Sequence, residues 1–197
     1  GEEQSGMRYM FTMMNTARIG VGVEGLAITE RAYQKAADYA RERVQGREVG
    51  APATDSSPIV RHPDVRRMLM TMRAYREALR SLIYLTGRYV DEENQGETAE
   101  AREAAGEMVA LLTPITKAWS TDVGVEMASM GIQVHGGMGF IEETGAAQFY
   151  RDSRIAPIYE GTNGIQAIDL VLRKLPMGGG EVVERLLAEV RRVGERL

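Results

Sequence analysis

The sequence contains no cysteine, which excludes disulfides, thiolate nucleophiles and cysteine-ligated metals. Histidine occurs only twice, at His62 and His135. A carboxylate-bridged di-iron site in a helical bundle needs Glu-x-x-His pairs, but Ile59 and Ile132 stand three residues before the two histidines. A zinc site or a Ser-His-Asp triad fails for the same scarcity, so no metal is expected. No apolar stretch is long enough to cross a bilayer. The first residues, Gly1-Glu2-Glu3-Gln4, are acidic where a secretory leader would be basic and then apolar. The default location is therefore the cytoplasm. The formal net charge is -4 with no long run of one sign, which gives no support to a nucleic-acid partner. Strand-like alternation is also missing, and no repeat is visible.

What is present suits one soluble, globular domain of 197 residues, 44% hydrophobic and 26% charged. The chain starts with Gly rather than Met, and residues 1–6 read as a linker or scar on a piece of a longer protein. Helical periodicity dominates the rest. A first helix is expected over about Tyr9–Gln45, with Ile19, Val23, Leu26, Tyr33, Ala37, Ala40 and Val44 on one face. Gly20, Gly22 and Gly25 interrupt it at about 1 kcal/mol each relative to Ala. They allow close approach of either a neighbouring helix or a ligand.

Turn formers fill Gly46–Pro58. A second helix starts near His62 or Pro63, since Pro is tolerated in a first turn. Val65, Met68, Met72, Tyr75, Leu79 and Leu82 give it a near-heptad seam. A third helix runs over about Thr98–Val134, with Pro114 expected to kink or break it. The glycine-rich turn Gly136-Gly137-Met138-Gly139 follows, then a helix around Gly145–Arg154 and a loop, Pro157–Gly161. Thr162 is a candidate N-cap for a helix to Leu175. Gly178–Gly180 is a flexible break, and a charged amphipathic helix over Glu181–Leu197 closes the chain. The expected fold class is all-α: an antiparallel up-and-down four-helix bundle with short additional helices.

Two segments carry candidate chemistry. Gly-Gly-x-Gly at 136–139 follows a helix rather than a strand, so it is not a dinucleotide-binding βα turn. It reads either as a helix C-cap or as a cap that also offers backbone N–H groups to a phosphate. In Ile158-Tyr159-Glu160-Gly161-Thr162, a carboxylate precedes a helix start, which is commonly structural. The adjacent glycine and the apolar Ile158 and Tyr159 also suit a general base, because partial desolvation raises a carboxyl pKa.

The run Tyr159-Glu160-Gly161-Thr162-Asn163-Gly164-Ile165-Gln166 resembles the segment of the acyl-CoA dehydrogenase family that carries the catalytic glutamate. Gln133-Val134-His135-Gly136-Gly137-Met138-Gly139-Phe140, Arg151-Asp152 between the two, and Tyr39–Arg47 resemble further family elements in the same order. The match covers most of residues 9–175 and is nearest the 3-methylmercaptopropionyl-CoA dehydrogenase-like branch. It implies a C-terminal helical bundle over residues 7–176, with residues 177–197 beginning a helical extension.

The resemblance also implies a reaction. An acyl-CoA becomes the trans-2-enoyl-CoA, Glu160 takes the α-proton, and the β-hydride passes to FAD. The flavin ribityl hydroxyl and the Glu160 N–H polarise the thioester carbonyl. Some relatives carry the base on the first helix instead; here that position holds Ala17. By resemblance, Arg43, Gln45, Gln133, Gly136 and Gly137 contact FAD of a neighbouring subunit, and Thr162 and Gly164 contact FAD of the same subunit. Asn15 and Arg18 line the pantetheine path, and Tyr159 and Gly161 line the acyl pocket. Asn15 departs from the acidic residue common in the family. For Arg43, the plain reading is an arginine complementing a helix C-terminal dipole.

Further implications are an acyl-CoA substrate, an electron-transfer flavoprotein as acceptor, and a homodimer or homotetramer. The family's N-terminal and middle domains are not in this sequence, so the chain alone is expected to be folded but inactive. Two other readings stay open: a non-catalytic oligomerisation or scaffold bundle, and an acyl-CoA oxidase of the same fold.

Overall fold

A computed structural model describes residues 1–196. Three long helices dominate: α1 (Gly6–Glu42), α2 (Pro63–Gln95) and α3 (Ala99–His135). They are followed by α4 (Gly137–Phe140), α5 (Ala146–Ser153), α6 (Asn163–Asp169) and α7 (Glu181–Gly194). No strand occurs among the described residues, where an isolated antiparallel bridge pairs Val44 with Pro58. Among these helices none is long and apolar enough to cross a membrane. The fold is all-α, as expected.

The helix limits follow local chemistry. Pro63 opens α2 and Thr98 caps α3, its hydroxyl accepting from the Ala101 N–H at 3.1 Å. α1 ends three residues before the expected Gln45. Its continuation pairs instead with the strand-like segment at 57–59: the Ile59 N–H donates to the Arg43 carbonyl at 2.8 Å, and the Gln45 N–H to that of Ser57 at 3.1 Å. Pro114 does not break α3, which continues through it for 37 residues.

The contacts divide the chain into two compact units. One comprises Gly1–Val23, Ser81–Trp119 and residues 158–196; the other comprises Glu24–Arg80 and Ser120–Pro157. Each long helix contributes to both.

In the first unit, α2 runs antiparallel to α3, with Thr86 opposite Thr116 (hydroxyls 2.9 Å apart) and Glu93 beside Gly106. The apolar core is Tyr89, Ala105, Met108, Leu111, Leu112 and Val182. Val182 belongs to α7, which Tyr89 also holds through a 2.8 Å hydrogen bond to Glu189. The glycines at 178–180 form one ordered left-handed turn leading into that helix. α6 completes the unit on the side of α1 and α3.

In the second unit, the core is built from Ala32, Ala36, Ala37 and Ala40 of α1, Met68, Leu69, Met72 and Leu79 of α2, and Val123, Met127 and Ala128 of α3. Alanines on α1 let the helices close up. Arg76 and Arg80 of α2 both pair with Glu30 of α1. Phe149 of α5 packs against this core and lies under Arg31, 5.9 Å from guanidinium carbon to ring centre. The expected seams are met at Ala37, Ala40, Met68, Met72 and Leu79. Val23, Val44 and Tyr75 are exposed instead; on α1, small residues carry the contacts and the terminus leaves the helix.

The α1 glycines separate the two readings left open. A Cβ at Gly22 would meet Thr116 Cγ2 at 2.7 Å, and one at Gly25 would strike the Ser120 carbonyl. Both serve helix packing. Gly20 faces open space.

Candidate active site

The segment between α5 and α6 is shaped by two consecutive left-handed residues, Glu160 (φ 55°) and Gly161 (φ 82°). Glycine adopts this region freely, whereas glutamate does so at roughly 1–2 kcal/mol. Something must hold Glu160 there, and the first unit shows what does. Arg18 of α1 donates through Nε to the Glu160 carbonyl at 3.2 Å. The Gln166 amide of α6 donates to the Gly161 carbonyl at 3.1 Å and reaches the Glu160 carbonyl at 3.4 Å. The peptide backbone is thus tied inward. Glu160 itself is half-buried, and its carboxylate has neither an ion pair nor a hydrogen bond among the described residues.

Arg18 is 5% exposed. Its Nη1 donates to Asn15 Oδ1 at 3.3 Å and lies 3.7 Å from Asp169 Oδ2. Its Nη2 is 3.5 Å from where a Cβ on Gly161 would stand, so Gly161 leaves room for the guanidinium as well as for the turn. Arg18 therefore sits beneath the loop within this chain.

Thr162 caps α6 as expected, its hydroxyl accepting from the Ile165 N–H at 3.4 Å. The next residue anchors the loop to α3: the fully buried Lys117 ammonium donates to Asn163 Oδ1 at 2.8 Å, and the Asn163 amide donates to the Ala118 carbonyl at 3.1 Å. After Asp169 the helix widens to a π turn over Leu170–Lys174, short of the regular helix expected to Leu175. The apolar screen expected around Glu160 is incomplete in this chain, because Ile158 is exposed and only Tyr159 is half-buried. Asn15 also borders a cavity of about 440 Å³ with Thr12, Thr16, Glu93 and Thr113; Glu160 does not line it.

The remaining predicted residues gather in the second unit. Arg43 Nη2 donates to Gln45 Oε1 at 3.2 Å, and both side chains are exposed. The Gln45 carbonyl lies 2.7 Å from His62 Nε2. At the end of α3, the Gly136 N–H donates to the Gln133 carbonyl at 3.1 Å; Gly136 has φ 60°, and Gly137 opens α4. Gln133, Gly136 and Gly137 are exposed, and nothing lies within 4 Å of a Cβ placed on either glycine. The turn is a cap and also leaves its backbone open.

The ends of α1 and α3 are joined by Tyr39 stacked on His135, with ring centres 4.4 Å apart. His135 Nδ1 is 2.7 Å from the Gly131 carbonyl, which only accepts, so Nδ1 carries the proton. Burial pushes the His135 pKa down; the Gly131 carbonyl opposes this and Lys35 adds to it.

The predicted residues thus divide between the units, Asn15, Arg18 and 159–164 in one and Arg43, Gln45, Gln133, Gly136 and Gly137 in the other. Sequence reasoning missed Lys117, Asn163, Gln166 and Asp169 as the supports of the Glu160 loop. A signal existed for two of them: Gln166 and Asp169, three apart, share one face of a short helix that also carries Ile165, Ala167 and Ile168.

Known proteins resemble this chain in sequence and in fold. The 3-methylmercaptopropionyl-CoA dehydrogenase of Ruegeria pomeroyi is 56% identical over 94% of this chain and 31% of its own length. Caenorhabditis elegans ACDH-11, solved in complex with C11-CoA, superposes with a TM-score of 0.81 at 27% identity, over 99% of this chain and 30% of that one. An acyl-CoA dehydrogenase from Bacillus anthracis, complexed with FAD, gives 0.75 at 30% identity, over 90% and 31%. The chain spans about a third of the length of the curated relatives it matches. The model of the acyl-CoA dehydrogenase C-terminal domain matches residues 4–175, and the chain belongs to that family.

Proposed function

We propose that this chain is the base-bearing C-terminal part of an FAD-dependent acyl-CoA dehydrogenase, with Glu160 as the acceptor of the substrate α-proton. One observation carries the reading. Glu160 is held in a strained left-handed conformation by Arg18 and Gln166 through its backbone, while its carboxylate is left unpaired. Strain of this kind persists only where surrounding structure enforces it, and it clusters at functional sites.

The residues present suit the flavin. Arg43 and Gln45 offer exposed donors, and the Gly136–Gly137 turn has open backbone beside the exposed Gln133, a chemistry matched to a diphosphate. Following the family resemblance, these five would hold FAD of a neighbouring subunit in a homodimer or homotetramer, and Thr162 and Gly164 that of the same subunit. Bound FAD supplies a hydride acceptor for the substrate β-carbon.

The chain's own part is proton transfer and orientation. With acyl-CoA bound, the Glu160 carboxylate takes the α-proton, and its N–H donates to the thioester carbonyl, stabilising the charge that develops there. Asn15, Tyr159 and Gly161 flank the substrate, and Arg18 acts from beneath. The rest of the polypeptide completes the apolar screen that Ile158 begins. The electrons leave to an electron-transfer flavoprotein.

In the intact enzyme, Glu160→Gln should lower turnover at least about a hundredfold with FAD retained, since a positioned base contributes on that order or more. Unimpaired turnover would remove Glu160 from the role. The 197-residue chain alone should neither bind FAD nor reduce a dye with acyl-CoA; a yellow, active preparation would refute that.

A further inference from the structure

α6 buries the wrong face for a helix stabilised by packing. Its apolar Ile165 and Ile168 are 45% and 54% exposed, while polar Gln166 and Asp169 are 1% and 3% exposed. An amphipathic helix normally does the reverse. Gln166 accounts for its own burial by holding the Glu160 and Gly161 carbonyls. Asp169 touches neither.

What Asp169 touches is Arg18, through Oδ2 at 3.7 Å. Its other oxygen lies 2.7 Å from Arg173 Nε, an ion pair without hydrogen-bond alignment, and Arg173 is largely in solvent. The charged groups on Asp169 are Arg18 of α1 and Arg173 of the π turn; farther along the same segment, Lys117 of α3 holds Asn163 and Glu160 lies on the loop, while Asn15 and Gln166 are neutral. Asp169 is the one carboxylate paired with Arg18 among the described residues. A buried guanidinium that reaches the Glu160 carbonyl is also within a side chain's length of the Glu160 carboxylate. Left without a counter-charge, it would be drawn to that carboxylate, because a buried unpaired charge is strongly unfavourable.

We propose that Asp169 is a positioning residue for the candidate base: it neutralises Arg18, keeping the guanidinium on the Glu160 backbone and off the Glu160 carboxylate. The proposal rests on the reading of Glu160 as the base. In this arrangement Arg18 sets the turn, Asp169 occupies Arg18, and the Glu160 side chain stays free to meet a proton.

The test uses the intact holoenzyme and an acyl-CoA substrate. Asp169→Asn should retain FAD and a KM within about threefold of wild type while kcat falls at least about tenfold. The primary isotope effect with α-deuterated substrate should rise, as proton abstraction becomes slower. Because Asn15 Oδ1 already accepts from Arg18 at 3.3 Å, Asn15→Asp combined with Asp169→Asn moves the counter-charge to the other side of the guanidinium. With Asn15→Asp alone as the reference, since Asn15 flanks the substrate, adding Asp169→Asn should then lower kcat by less than about threefold.

Wild-type kcat in Asp169→Asn, or a fall in kcat as large on the Asn15→Asp background as on wild type, overturns the proposal. An Asp169→Asn enzyme that fails to fold or loses FAD assigns Asp169 to architecture and also overturns it, unless the double variant restores turnover. Glu160→Gln is run alongside: if it stays active the base assignment itself fails, whereas an inactive Glu160→Gln beside a fully active Asp169→Asn defeats only this inference.

Discussion

The Arg18 Nε group donates to the backbone carbonyl of Glu160 across 3.2 Å, joining residues 142 positions apart. A guanidinium this buried is not a surface contact. Arg18→Ala would take from the buried Asp169 its buried partner, leaving only the solvent-exposed Arg173, and release the Glu160 turn. Removing one member of a buried pair costs about 3–5 kcal/mol. Urea unfolding of the chain should show a loss on that order; a change below about 1 kcal/mol would mean that the loop holds itself.

Gly161 is left-handed at φ 82°, and an added Cβ would sit 3.1 Å from Gln166 Nε2. Gly161→Ala combines a conformational penalty of about 1–2 kcal/mol with a push on the amide that holds the turn. The expected result is a lower melting temperature of the chain and, in the intact enzyme, a lower kcat. An unchanged melting temperature would show that the turn adopts another geometry.

Two glycines of α1 should respond in opposite directions. Gly20→Ala, exposed and facing open space, should stabilise by about 0.5–1 kcal/mol through helix propensity. Gly25→Ala drives a methyl against the Ser120 carbonyl of α3 and should destabilise by about 1–3 kcal/mol. Denaturation of the two variants side by side checks this, and equal effects would contradict the close approach.

His135 gives a pH dependence of known sign. Burial lowers its pKa, so the folded chain binds a proton less readily than the unfolded chain, whose histidine titrates near 6.5. Its contribution to stability is complete above that pH and is lost as pH falls below it toward the depressed folded value. Thermal melts from pH 7.5 to about 5 should show this decline, and His135→Gln should flatten it. A variant with the full wild-type slope would assign the dependence to other groups.

The chain wrote its helices plainly. Pro63, Thr98 and Thr162 mark starts because each acts within one turn of itself, on groups that any neighbour in sequence can supply. Glu160 was legible as a candidate because the glycine beside it and the motif around it are local. The end of α1 was misplaced because the pull on Arg43 and Gln45 comes from residues 57–59, across a loop that periodicity does not see. Of the kink or break expected at Pro114, the break does not occur: buried residues flank Pro114 on both sides and the helix continues.

By itself, then, the sequence determined the helical class and most helix limits and marked Glu160 as a candidate, since these rest on interactions spanning a few residues. Only the tertiary structure decided what Arg18, Lys117, Gln166 and Asp169 are for. A buried polar side chain takes its role from the partner it meets, and those partners come from helices that are far apart in the chain and adjacent only once it has folded.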